Sequence, residues 1–153
     1  MNRSPVLRRL DALVGDWEMR AVFGEHTLSA HVAFEWIEDG AFLAQRASSG
    51  PVPPDTPREL IENSPLPTLQ IIGLDDTAES FTALYSDARG VSRVYTMTFD
   101  GTVWTMHRAA PGFHQRFTGT LSDDGKTISA HWDLSRDGES WDLDFNLTFT
   151  RLG

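Results

Sequence analysis

"GVSRVYTMTFDGTVWTMHRA", residues 90–109, alternates apolar and polar side chains on both sides of Asp100-Gly101. Alternation with a period of two is the mark of a strand with one buried face, and Asp-Gly suits a two-residue type I′ turn. The stretch therefore reads as a β-hairpin. If Phe99 and Thr102 close the turn, Met97 faces Trp104, Tyr95 faces Met106 and Arg93 faces Arg108. Two arginines opposed on an otherwise aromatic and apolar face repel each other unless something lies between them.

The next hairpin extends the same rows. A two-residue turn at Pro111-Gly112 sets Arg108 beside Gln115, Met106 beside Phe117 and Trp104 beside Gly119. The other face of these strands carries Ser92, Val94, Thr96, Thr98, Thr105, His107, His114, Arg116, Thr118 and Thr120, a small and polar set suited to an outer surface. The Trp, Tyr, Met and Phe face is then interior. An apolar chamber with a few convergent polar groups is the usual form of a small-molecule site. An anion between Arg93 and Arg108 relieves their repulsion, because the planar guanidinium fork holds a carboxylate through paired hydrogen bonds. Gln115 and the Tyr95 hydroxyl add polar partners, while Met97, Trp104, Met106 and Phe117 line the apolar part. A structural reading stands beside this one: the arginines reach solvent, or each pairs with a carboxylate such as Asp87 or Glu35. A one-residue bulge at either turn would point part of the set outward.

Similar alternation recurs along the chain, near 16–23, 27–38, 40–47, 68–74, 79–86, 91–99, 102–109, 113–121, 127–134 and 141–150. That gives about ten strands at the short spacing of an all-β barrel or sandwich. Short Gly- and Asp-rich connections force antiparallel neighbours, so the chain is a meander, and closing it into a barrel removes its edges. Two pieces break the pattern. "SPVLRRLDALVG" (4–15) carries Leu7, Leu10, Leu13 and Val14 at helical spacing, with Ser4 as N-cap and Pro5 at the first helical position. It is expected to plug one barrel end. Residues 48–67 are proline-rich and long for a connection, either a lid or a disordered insertion. Asp55 or Thr56 is expected to cap a short helix there.

With 153 residues and no internal repeat, a single domain over 1–153 is expected. A net charge of −9 argues against nucleic acid or an anionic membrane as partner. No apolar run approaches the ~18 residues of a spanning helix, and the N-terminus has no apolar core of a signal peptide. A cytoplasmic protein is the expectation. The absence of cysteine excludes disulfides, thiolate catalysis and cysteine-held metal sites.

Gly15-Asp16-Trp17, just after the helix and at the head of the first strand, resembles the Gly-x-Trp element of the lipocalin and calycin barrels. In those barrels the Trp closes the base and an arginine from the last strand stacks on it; Arg151, ending "FNLTFTR", matches that position. The whole chain also resembles an uncharacterised bacterial lipocalin-like family through "FEWIEDGAFLAQR", "SDARGVSRVYTMTFDG", "PGFHQRFTGTLSDDGKTI" and "WDLDFNLTFTR". Arg93-Val94-Tyr95 is similar to the Arg-x-Tyr spacing by which fatty-acid-binding proteins hold a carboxylate, here mid-chain instead of on the final strand. Nitrobindin-type haem barrels share the Gly-x-Trp start, but Glu18-Met19-Arg20 follows it here and no histidine follows His131.

Catalytic signatures are sparse. His26 and His31 point to opposite faces, and His107 and His114 fall on the outer one. On the strand near 127–134, either Ser129, His131 and Asp133 face inward, giving a general acid/base pair, or Ile128, Ala130, Trp132 and Leu134 do. Asp142 and Asp144 alternate with apolar residues as a solvated acidic face, and Lys126, the one lysine, lies in a turn. No phosphate loop, nucleophile elbow or zinc motif is present. The expected function is binding of a small hydrophobic, carboxylate-bearing ligand, without cofactor or metal. The alternatives are a calycin-type cyclase or isomerase that works by shaping its substrate, and haem binding. Assembly is left open between a monomer and a homodimer.

Overall fold

The computed structural model describes residues 4–153. Ten antiparallel strands follow one another around a closed barrel: β1 (Gly15–Phe23), β2 (His26–Ile37), β3 (Phe42–Ser49), β4 (Thr68–Asp75), β5 (Ser80–Asp87), β6 (Ser92–Phe99), β7 (Val103–Arg108), β8 (His114–Leu121), β9 (Thr127–Ser135) and β10 (Asp142–Arg151). Each pairs with its successor, and β10 pairs with β1 through Trp17↔Arg151 and Met19↔Phe149. These are the strands expected from the alternation, with ends moved by a residue or two. Leu43, Ile72, Phe81, Met97, Trp104, Phe117, Ile128 and Phe149 all face in and are buried.

One barrel end is closed as the sequence suggested. The Val6 N–H donates to the Ser4 hydroxyl at 3.2 Å, starting α1 (Pro5–Arg8), which tightens into a 3₁₀ turn over Arg9–Leu13. Leu7, Leu10 and Leu13 are buried, each adding about 1.5–3 kcal/mol of apolar burial. Trp17 donates from its indole to the Leu13 carbonyl at 2.9 Å. The Arg151 guanidinium stacks 4.1 Å from the Trp17 ring centroid and donates to the carbonyls of Val14 and Ala12, both at 2.7 Å, and of Gly125 at 3.0 Å. Gly15 (φ +129°) must be glycine: a Cβ there would lie 2.8 Å from Arg151 Nη1.

The hairpin at Asp100 departs from its expected register. Phe99 lies opposite Trp104 and Met97 opposite Met106, two residues away from the pairing that a two-residue turn gives. The Asp100 carboxylate accepts the N–H groups of Thr102 and Val103 at 2.8 and 2.7 Å, so the turn spans four residues. A slip of two preserves which face each side chain occupies. The inward set therefore survives, although Arg93 and Arg108 are not cross-strand partners: the β6–β7 ladder stops at Thr96↔His107. The β7–β8 pairs Trp104↔Gly119, Met106↔Phe117 and Arg108↔Gln115 are as read from the sequence.

On β9, Ile128, Ala130, Trp132 and Leu134 face inward, opposite Leu121, Gly119, Phe117 and Gln115. His131 and Asp133 lie outside, where Asp133 pairs with Arg116 at 3.3 Å. Residues 50–67 leave the barrel between β3 and β4, at the end opposite α1, and carry α2 (Arg58–Glu62). Neither Asp55 nor Thr56 caps this helix. Pro57 occupies the N-cap position, and Thr56 is buried with its hydroxyl unpartnered. The segment is tied back through Ala88 N–H to the Pro65 carbonyl at 3.0 Å and through Leu66 against the core. Among the described residues no helix is long and apolar enough to cross a membrane.

Candidate functional site

The lumen nearest α1 is packed with rings. Trp104 lies 4.5 Å from Phe117 and 5.8 Å from both Phe34 and Phe149, centroid to centroid; Phe117 lies 5.2 Å from Trp132, and Trp132 5.6 Å from Tyr95. Met97, Trp104, Met106 and Phe117 are at most 3% exposed, so little space lies against them. The four residues expected to line an open chamber are packed into the ring cluster instead.

Above that cluster runs a polar row. Gln45↔Gln70, Gln70↔Tyr85 and Tyr85↔Arg93 are consecutive inward pairs, and the row resumes beyond the β6–β7 break as Arg108↔Gln115. Six neighbouring strands, β3 to β8, each give it one hydrogen-bonding side chain. Gln45, Gln70 and Tyr85 were missed in the sequence, although Gln45 between Leu43 and Ala47 on one strand face was a legible sign of a polar group turned inward. The Gln70 amide donates to Gln45 Oε1 at 2.8 Å, while Gln70 Oε1 has no partner.

The residues singled out around the arginines come together. The Tyr95 hydroxyl donates to Gln115 Oε1 at 2.9 Å, in a pair where Tyr95 is 3% and Gln115 7% exposed. Burial pushes the Tyr95 phenol up, while Arg93 and Arg108 both pull it back. Tyr95 is thus a neutral donor at ordinary pH. Arg93 lies 5.3 Å over the Phe113 ring and Arg108 donates to the Phe113 carbonyl at 3.5 Å. Both are half-buried.

Neither arginine forms an ion pair among the described residues. The carboxylates named as structural partners are engaged elsewhere. Asp87 accepts from Tyr85 at 2.7 Å and Arg89 at 2.6 Å, and Glu35 faces Arg46 at 3.6 Å. Burial pushes the Asp87 carboxyl up, but hydrogen bonds from Arg89, from Tyr85 and from the N–H groups of Arg89 and Val91 outweigh it and hold it at about 2. Burial, then the bond to Asp87, push the Tyr85 phenol up in turn.

Beside the arginines the wall is open. A cleft of about 570 Å³ is lined by Arg93, Val94 and Thr96 of β6, His107 and Arg108 of β7, and Leu84 of β5. A cleft with two unpaired guanidiniums at its inner side is suited to an anion carrying an apolar group. It contains no nucleophile activated by a base: His131 and Asp133 are on the outer face, and no group of three His, Asp or Glu among the described residues can hold a metal. His31, His107, His114 and His131 face outward and His26 opens β2 at its rim, so no histidine reaches the deep lumen.

No family model matches the chain, and no curated protein matches it. What the structure shows is the architecture, a closed ten-stranded antiparallel meander consistent with a calycin-like fold, with Trp17 and Arg151 locking the helix-plugged end.

Proposed function

We propose that this barrel binds a small amphipathic acid, with Arg93 and Arg108 holding the anionic head. Gln115 offers its amide N–H groups, oriented by the Tyr95 hydroxyl on its oxygen. Met97, Trp104, Met106 and Phe117 give the site a rigid, dry floor. One observation carries the reading. Two half-buried guanidiniums meet at Phe113, Arg93 over its ring and Arg108 on its carbonyl, and neither has a carboxylate partner among the described residues. Taking two like charges partly out of water is costly without a counter-charge. An anion supplies it. The cyclase or isomerase alternative loses its interior acid–base pair with His131 and Asp133 outside the barrel.

Calorimetric titration of decanoate and of decanol, equal in length and different in charge, tests the reading. Wild-type protein is expected to bind decanoate and to bind decanol at least about tenfold more weakly, since a charge-assisted hydrogen bond contributes about 1.5–3 kcal/mol. Arg93→Ala and Arg108→Ala should each weaken decanoate by a similar factor and leave decanol unchanged. Equal decanoate affinity in wild type and both variants overturns the proposal.

A further inference from the structure

The packed floor leaves little space beneath Arg93 and Arg108 for a hydrocarbon tail. The wall beside them leaves more. β6 begins at Ser92 and β7 ends at Arg108, yet the two are paired only from Thr96↔His107 to Phe99↔Trp104. Beyond Thr96 and His107 the β6 backbone has no ladder partner on the β7 side, and the cleft of about 570 Å³ occupies that notch. Its lining mixes the two faces of the sheet. Arg93 and Arg108 belong to the inner row, whereas Leu84, Val94, Thr96 and His107 belong to the outer face. A cleft that draws on residues of both faces, at the place where the ladder between the two strands has stopped, marks a parting of the wall.

We infer that the acid enters and lodges through this lateral seam and not through the barrel mouth. Its head lies on the lumen side between Arg93 and Arg108, and its tail lies outside along Leu84 and Val94. The inference rests on the anion-binding reading given above. Leu84 and Val94 are cross-strand partners, 50% and 60% exposed, and Ile71 continues their row on β4. Such an apolar strip running from a cationic notch matches an amphipathic acid in both charge and polarity. Ala109 and Ala110, on the opposite lip, are small enough to leave the notch open.

The test uses Leu84→Gln with Val94→Thr in the full chain. Both positions are exposed, so the fold keeps its core, and both replacements are neutral, so the field at the arginines is unchanged. Hexanoate and decanoate are titrated by calorimetry. Burial of tail methylenes on the outer wall predicts that the double variant weakens decanoate about fivefold to tenfold and removes most of its advantage over hexanoate. Leu28→Gln, near the mouth on β2 and remote from Gln115, should leave both affinities within about twofold of wild type. Decanoate binding that still needs the arginines but ignores the double variant, or that falls with Leu28→Gln, overturns the lateral seam and leaves the anion site standing. Decanoate binding indifferent to Arg93→Ala and Arg108→Ala, or absent from the wild type, removes both.

Discussion

Arg151 fastens three parts of the chain at once. Its guanidinium bonds carbonyls at Ala12 and Val14 after the helix and at Gly125 in a distant turn, while its face covers Trp17. Removing it leaves three carbonyls half-buried and one indole uncovered. Arg151→Ala should cost about 3 kcal/mol in chemical denaturation, with Arg151→Lys recovering less than half because an ammonium lacks the planar fork. A loss under about 1 kcal/mol in the alanine variant contradicts this role. Asp87 makes a second prediction. Its carboxyl is held at about 2, below its ordinary value, so the stability it confers is complete above about pH 4 and fades as pH falls toward 2. Asp87→Asn should therefore be destabilised at pH 7, on the order of 1 kcal/mol, and the gap to wild type should close between pH 4 and 2. A gap independent of pH contradicts the sign. At this scale the sequence was legible wherever a residue type has one physical use, as with Gly15, Trp17 and Arg151. Gln45 and Gln70 were not legible as a pair, because an amide's partner is set by closure of distant strands.

Alternation decided the elements and faces; turn chemistry decided the register. The dipeptide Asp100-Gly101 fits a two-residue turn by backbone preference, but the Asp100 side chain accepts two backbone N–H groups and enlarges the turn to four residues. Local propensity lost to two specific hydrogen bonds. The slip is of even parity, so the inward rows Arg93-Tyr95-Met97 and Trp104-Met106-Arg108 keep their face. Asp100→Ala removes the clasp. Hydrogen exchange at Thr98 and Thr105, in the short β6–β7 ladder, should quicken relative to Thr118 in the longer β8–β9 ladder. Equal protection in variant and wild type contradicts the clasp. The cap of α2 departs from the expected one for a related reason: in Thr56-Pro57-Arg58, proline takes the boundary position and leaves Thr56 one residue too early.

At the scale of the whole molecule, ten strands and a plugged end follow from short-range signals repeated along the chain. How far the lumen is filled does not. It depends on which rings meet after closure, and Trp104 with Phe34, Phe117 and Phe149 fills what alternation alone left as a chamber. The break in the wall is equally non-local, arising where the β6–β7 ladder ends early and both arginines flank the opening. The chain carries a net charge of −9, so its overall field repels an acid, and the guanidinium pair must act at short range. Titration of decanoate into nitrogen-labelled protein, following the side-chain Nε–H resonances of Arg93 and Arg108, addresses this directly. Anion binding at the pair predicts that both resonances move together and saturate at one ligand per chain, and that decanol moves neither. Arginine resonances that stay fixed while decanoate shifts signals elsewhere would contradict it.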